Sequence, residues 1–195
     1  MTKIHLTIRV LLLGTLLSGR VFGADSTTVD REYQVKAAFL YNFLKTVEWP
    51  HSAQPQTDQP WVIGILGENA FGDAFTPVLH KQVKAHHLSI RPLGHFNTEN
   101  QNQVEMIRQM KHCHILFISA SERRKLATIL PLLTNNACLT VSETSGYLEA
   151  GGMINFIPGA EKGDFEINLD ACQKEDLVLS SKLLQIAVRV KNSDS

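Results

Sequence analysis

WVIGILG, Trp61 to Gly67, is an apolar run interrupted only by Gly64 and closed by a second glycine. A strand with one wet face alternates polar and apolar positions. An unbroken run of this length fits a strand covered on both faces, as in a parallel sheet flanked by helices. The chain beyond it keeps that rhythm. Phe71 to Leu79 reads as a short helix, and Leu88 to Leu93 alternates like a strand. Thr98 with Gln101 forms a capping-box start for a helix to Met110, and His114 to Ile118 is another buried strand. Ser119 with Glu122 caps a helix to Leu133, and Leu139 to Val141 is a fourth strand. Strands alternating with helices imply parallel pairing. The expected fold is therefore α/β: a three-layer, Rossmann-like, mostly parallel sheet with helices on both faces.

Working outward, VKAAFLYNFLKTVEWP (Val35 to Pro50) places Val35, Phe39, Leu40, Phe43, Leu44 and Val47 at helical spacing, and Trp49-Pro50 ends the run. Ala37, Ala38 and Tyr41 widen the apolar stripe beyond one ordinary face. The helix over Tyr33 to Trp49 is thus expected to be deeply buried or shared with a second copy, through Phe39, Tyr41, Leu44 and Trp49. In the last third, Gly151-Gly152 precedes Met153 to Ile157, a turn follows from Pro158 to Gly163, and Asp164 to Leu169 alternates again. These read as an antiparallel hairpin at an edge of the sheet. Ser180 caps a last helix, Ser181 to Val190.

At the other end, Lys3 and Arg9 precede the apolar run Val10 to Leu17, which is too short to span a bilayer, and Val21-Phe22-Gly23 supplies small residues before Ala24. Residues 1–23 read as a cleaved signal peptide and 24–195 as one exported domain with its core in 33–190. Removing the signal leaves 16 basic residues against 19 acidic ones, a net charge of −3. That balance gives no reason to expect nucleic acid or an anionic membrane as partner.

Residue patterns for chemistry are sparse. Gly64, Gly67 and Gly72 lack the spacing of a dinucleotide loop, and no Lys or Arg lies between Lys45 and Lys81 to meet a phosphate. Neither a Gly-x-Ser-x-Gly elbow nor a His-Glu-x-x-His pair occurs. No catalytic set, cofactor or metal site is expected: on a strand, His112 and His114 share one face while Cys113 points to the other. Cys113 and Cys138 each precede a strand at the same end of the sheet, where they can be neighbours, and Cys172 follows the last strand. Three buried thiols packing as small apolar groups is the other reading.

VKAAFLYNFLKTVEWP, GILG, CHILFIS, LTVSE, GGMINF, FEINLDA and LVLSSKLLQIA occur here in the order in which the YfiR family of bacterial periplasmic proteins carries similar blocks. The chain resembles that family from about Val35 to Val190. The resemblance implies a non-enzymatic negative regulator in the periplasm, often dimeric. Such a protein binds the periplasmic region of an inner-membrane diguanylate cyclase, lowers cyclic di-GMP signalling, and is released by an outer-membrane-associated protein. It also implies a partner-facing region around the FEIN and GGMINF blocks: Glu166, Asn168, Gly151, Gly152, Asn155 and Phe156. Some relatives pair the CHILF cysteine with one in the first strand, which Trp61 to Leu66 lacks. Cys113 is left to pair with Cys138, to pair between chains or to stay reduced, and Cys113 with Cys138 is the disulfide candidate. The alternative function is a periplasmic small-ligand sensor serving another membrane signalling protein, with the histidines and the Gly67 loop as its site.

Overall fold

The computed structural model describes residues 26–97, 102–160 and 162–193. The expected signal peptide, residues 1–23, and the expected Thr98–Gln101 capping box lie outside these. The first helix, α1 (Ser26–Thr46), leads into β1 (Val47–Glu48). A six-residue strand, β2 (Trp61–Leu66), precedes α2 (Thr76–Leu79), β3 (Leu88–Gly94) and α3 (Gln103–Lys111). Next come β4 (Ile115–Ile118), α4 (Leu126–Ile129), β5 (Leu139–Ser142), β6 (Ile154–Phe156) and β7 (Phe165–Asn168). The chain ends in α5 (Leu169–Lys174), β8 (Val178–Leu179), α6 (Ser181–Ile186) and β9 (Arg189–Lys191).

Seven strands form one sheet in the order β3-β2-β4-β5-β6-β7-β9, while β1 and β8 make a small antiparallel pair. All neighbours in the large sheet run parallel except β6 and β7, the expected hairpin. Alternation through the strands sorts the core into two layers. Ile63, Ile65, Ile115, Phe117, Leu139, Val141, Ile154 and Ile167 face α1, α2, α5 and α6. Val62, Leu66, Leu116 and Ile118 face Met110 of α3, Leu126 and Ile129 of α4, and the Tyr147–Leu148 segment. Helices on both faces of a largely parallel sheet are the architecture that the apolar runs imply.

Three elements differ from the sequence reading. The expected helix from Ser119 to Leu133 is 3-10 over Ala120–Lys125 and again over Leu130–Leu133, on either side of α4; Pro131 accounts for the second break, having no N–H to give and a ring that crowds the preceding turn. Within Phe71 to Leu79 only the last four residues are helical. The last helix stops at Ile186, and Arg189–Lys191 becomes a strand beside β7. Sheet pairing thus outcompetes helix continuation in Val188-Arg189-Val190, whose β-branched residues favour extended backbone.

Candidate partner-binding face

The hairpin has one apolar face and one polar face. Phe156 and Phe165 point inward and meet Phe39 and Phe43 of α1, with ring centroids 5.3–6.3 Å apart. On the other face, register aligns Asn155 of β6, Glu166 of β7 and Arg189 of β9 side by side. Asn155 Nδ2 donates to Glu166 Oε1 at 3.2 Å, and Arg189 Nε donates to Glu166 Oε2 at 2.8 Å. The same guanidinium reaches Glu149 Oε1 at 3.0 Å. Glu166 therefore does not sit on an edge, because β9 covers it, and its side chain keeps 16% exposure against 48% for Arg189 and 54% for Glu149.

The other expected partner-facing residues are placed as follows. Asn155 is buried and its Oδ1 accepts the Thr144 N–H at 2.9 Å, anchoring the segment after β5. Asn168 is buried, caps α5 by accepting the Ala171 N–H at 3.1 Å, and donates to Leu148 O at 3.1 Å. Phe156 is wholly in the core. Gly152 is buried against the Tyr147 ring, whereas Gly151 is exposed with φ +98°. The buried members shape this face, Gly151, Glu149 and Arg189 are exposed on it, and Glu166 is half-buried between them. Beside it Leu148, Gly151, Met153, Asn168 and Lys191 line a groove of about 650 Å³. Exposed Ile186 and Val188 lie just before β9, the open end of the sheet. Sequence reasoning missed Arg189, although the alternation of Val188, Arg189, Val190 and Lys191 carried a strand signal.

The α1 residues expected at a self-association surface, and Trp49 just beyond β1, are covered by the chain itself. Leu44 is 0% exposed, Trp49 3% and Tyr41 8%, and Phe39 packs against the hairpin phenylalanines. From Arg31 to Thr46 the wide stripe fits a helix central to one layer.

The strand order reverses direction around β2 and β4, and open α/β sheets hold ligands in the crevice beyond such a point. Here the crevice is filled by side chains. Gly67, with φ +93°, faces Ser121 and Glu122 so closely that a Cβ would stand 2.4 Å from Ser121 Oγ. The Glu68 N–H donates to that hydroxyl at 2.9 Å. Glu122 is fully buried, with Oε1 2.7 Å from His95 Nδ1 and Oε2 in ion-pair contact with Lys125 Nζ at 3.0 Å. A carboxylate at this point opposes a phosphate rather than receiving one.

At the amino ends of the strands, His112 is exposed while His114 is largely enclosed, 4.6 Å from the Trp61 ring. Among the described residues no group of three or more His, Cys, Asp or Glu side chains is placed to hold a metal. The Val62 N–H donates to His114 Nδ1 at 2.9 Å, a bond that needs the neutral ring. Burial, with a smaller contribution from His86, lowers its pKa to about 4 from the ordinary 6.5. The unfolded chain then binds the extra proton first. Stability from this group is complete above about pH 6.5 and is lost as pH falls toward 4. The expected loss is about 2 kcal/mol, reduced from the full shift because the ring retains some solvent contact. Urea unfolding of wild type and His114→Gln at several pH values checks this, since the variant should lose that part of the slope.

All three cysteines are buried free thiols, so the Cys113–Cys138 bond is not formed in the structure. Cys113 Sγ donates to Gln109 O at 3.2 Å and faces Gly64, where a Cβ would approach it to 2.5 Å. Cys113 and Cys138 both pack in the α3–α4 layer, while Cys172 lies in the other. Burial pushes the Cys113 thiol up to about 11 and Cys172 up to about 12, and holds Cys138 well above the ordinary range.

One buried cluster carried no sequence signal. Lys36 is 2% exposed, and its Nζ lies 2.5 Å from Glu32 Oε1 and 2.5 Å from Glu143 Oε2. The Tyr33 hydroxyl donates to Glu143 Oε1 at 2.9 Å, and burial together with Glu143 raises the Tyr33 pKa. The cluster ties α1 to the segment after β5.

A family model described as YfiR/HmsC-like matches residues 33–188, and the chain belongs to that family. Among curated proteins, none matches it by sequence. Similar solved structures include a conserved domain protein from Vibrio cholerae O1 biovar El Tor, 11% identical, with a TM-score of 0.50 over 82% of this chain and 60% of that one. Another is an ABC domain in complex with L-Trp from Streptococcus pneumoniae, 12% identical, with a TM-score of 0.43 over 83% of this chain and 60% of that one. The chain thus spans about 60% of each, and the first likeness is one of fold alone.

Proposed function

We propose that this member of the YfiR/HmsC-like family is a periplasmic negative regulator, exported by a signal peptide over residues 1–23. It binds the periplasmic region of an inner-membrane diguanylate cyclase, lowers cyclic di-GMP output, and is released by an outer-membrane-associated protein. The family match across residues 33–188 carries this reading. Among the described residues no helix is long and apolar enough to cross a membrane. An inhibitor of this kind needs a rigid surface whose affinity differs between two states of its target. The Asn155–Glu166–Arg189–Glu149 ladder beside Gly151 is such a surface, fixed by register and hydrogen bonds.

Deleting the gene is expected to raise cyclic di-GMP and biofilm formation, and complementation to restore both; unchanged or lower nucleotide levels overturn the reading. The face has its own test. Arg189→Gln, which removes the charge but keeps a hydrogen-bonding amide, is expected to weaken capture by the cyclase's periplasmic domain about tenfold while stability falls by about 1 kcal/mol, because Arg189 is half exposed. Glu166→Lys is the poorer probe, since it sets a second cation directly beside Arg189 at an enclosed position.

A small-ligand sensor for another membrane signalling protein is the second reading. A groove of about 690 Å³ lined by Gln54, Gln59, His112, His114 and Asn136 favours it. His112 and His114 lie at the opposite end of the sheet from the Gly67 loop, so they do not form one site with it. Thermal-shift screening against small metabolites decides between the readings.

A further inference from the structure

Lys84 and Ala85 have φ of +48° and +69°, the one adjacent pair of non-glycine residues in the left-handed region among the described residues. They form a two-residue turn closed by Val83 N–H to His86 O and His86 N–H to Val83 O, both 2.9 Å. Asn-Gly is the usual choice for such a turn, because L side chains are strained there. The surroundings hold this one in place. Trp61 Nε1 donates to Val83 O at 3.1 Å, the Tyr41 hydroxyl donates to Gln82 O at 3.3 Å, and His86 Nδ1 donates to Gln59 O at 2.9 Å. An imposed backbone strain of this kind points to a role for what the turn presents.

What it presents is positive charge. Lys84 Nζ lies 5.9 Å from the Trp61 ring centroid, and Lys45 and Lys81 converge on the Tyr41 ring at 5.4 and 5.9 Å. All three lysines are exposed. Among the described residues none forms an ion pair with a carboxylate, whereas Lys36, Arg108, Lys125 and Arg189 do. Residues 74–98 contain no Asp or Glu, and Glu48 and Asp73, the acids nearest in sequence to Lys45 and to the turn among the described residues, form no ion pair with these lysines. Charge is thus biased across the sheet. From Glu143 to Lys191, toward the opposite edge, eight carboxylates stand against five basic residues, and Arg189 is paired with two of those carboxylates.

We propose that Lys45, Lys81 and Lys84 form a second docking surface, at the β3 end of the sheet, for a carboxylate-rich segment of a partner protein. Three ammonium groups held over buried rings are preorganised point charges for carboxylates. Tyr41 and Trp61 are buried, 8% and 1% exposed, so the patch offers no aromatic wedge for a bilayer, and the exported chain carries a net −3. The surface lies at the far end of the sheet from the hairpin face, so both can be occupied at once. It goes beyond the regulatory reading and does not depend on which membrane protein is bound.

The test uses the full exported chain and a fluorescent decaglutamate peptide, titrated by anisotropy at low and physiological salt. Vesicles containing anionic phosphatidylglycerol, read by co-sedimentation, form the second arm. Wild type is expected to bind the peptide and not the vesicles. Lys84→Asn should weaken peptide binding about fivefold, with a melting temperature at or above wild type, since asparagine suits the turn. Ala85→Gly, which relieves strain and keeps every charge, should bind as wild type does. A peptide that fails to bind wild type, or binds Lys84→Asn equally well, overturns the proposal, and so does sedimentation with vesicles in place of peptide binding.

Discussion

Lys36→Met is expected to lower stability by about 3 kcal/mol, because breaking a buried ion pair strands the charge left behind. Glu143 has only 11% of its side chain exposed, and the lysine is its cationic neighbour at 2.5 Å. The Tyr33 hydroxyl, also bonded to Glu143, cannot neutralise a carboxylate. Glu32, the second acid on this lysine, is 24% exposed and turns to solvent at lower cost. Adding Glu143→Gln to Lys36→Met should therefore recover most of the loss, since an uncharged amide keeps the tyrosine bond. Urea unfolding of the two single variants and the double variant measures the coupling directly. Additive losses would show that the pair is solvated in solution and contributes little. The cluster fastens α1 to the segment that leads into the proposed partner face, so partner affinity should fall along with stability in the single variant and return in the double.

Gly152→Ala is expected to cost about 3 kcal/mol, at the upper end of what overpacking produces. A Cβ at this position would stand 2.1 Å from Tyr147 Cε1 and 2.4 Å from Cδ1 and Cζ, and no side chain tolerates that approach. Tyr147 cannot swing away, being wholly buried in the α3–α4 layer. Tyr147→Leu should relieve part of the penalty by removing the ring. Gly151 is the internal contrast: its φ of +98° carries strain for any L residue, but nothing lies within 4 Å of its Cβ position. Gly151→Ala should accordingly cost only about 1 kcal/mol. Thermal melts of the three variants distinguish the two reasons for glycine at adjacent positions. Equal losses at Gly151 and Gly152 would mean that the tyrosine ring moves freely.

These two sites mark the limit of what a linear reading reaches. Lys36 looks like any helical lysine in Tyr33 to Trp49, and only the return of the chain at Glu143 encloses it. Gly151-Gly152 reads as a turn signal, yet Gly152 is required by a tyrosine five residues earlier. Glu166 reads as an outward edge charge because the alternation of Phe165, Ile167 and Leu169 specifies its face. Alternation says nothing about whether another strand lies alongside.

By itself the sequence determined the layered architecture and the family. Continuous apolar runs such as Trp61 to Leu66 are stable only when covered on both faces, and the alternating helices supply that cover. Strand pattern and turn residues likewise placed the hairpin, and Ser180 the start of α6. Tertiary structure alone decided which charges are enclosed, which strand covers β7 and what α1 packs against. Each of these depends on contacts between residues far apart in the chain, such as Arg189 with Glu166 and Phe39 with Phe165. Local periodicity fixes the direction in which a side chain points; burial and pairing follow from what the rest of the chain brings to meet it.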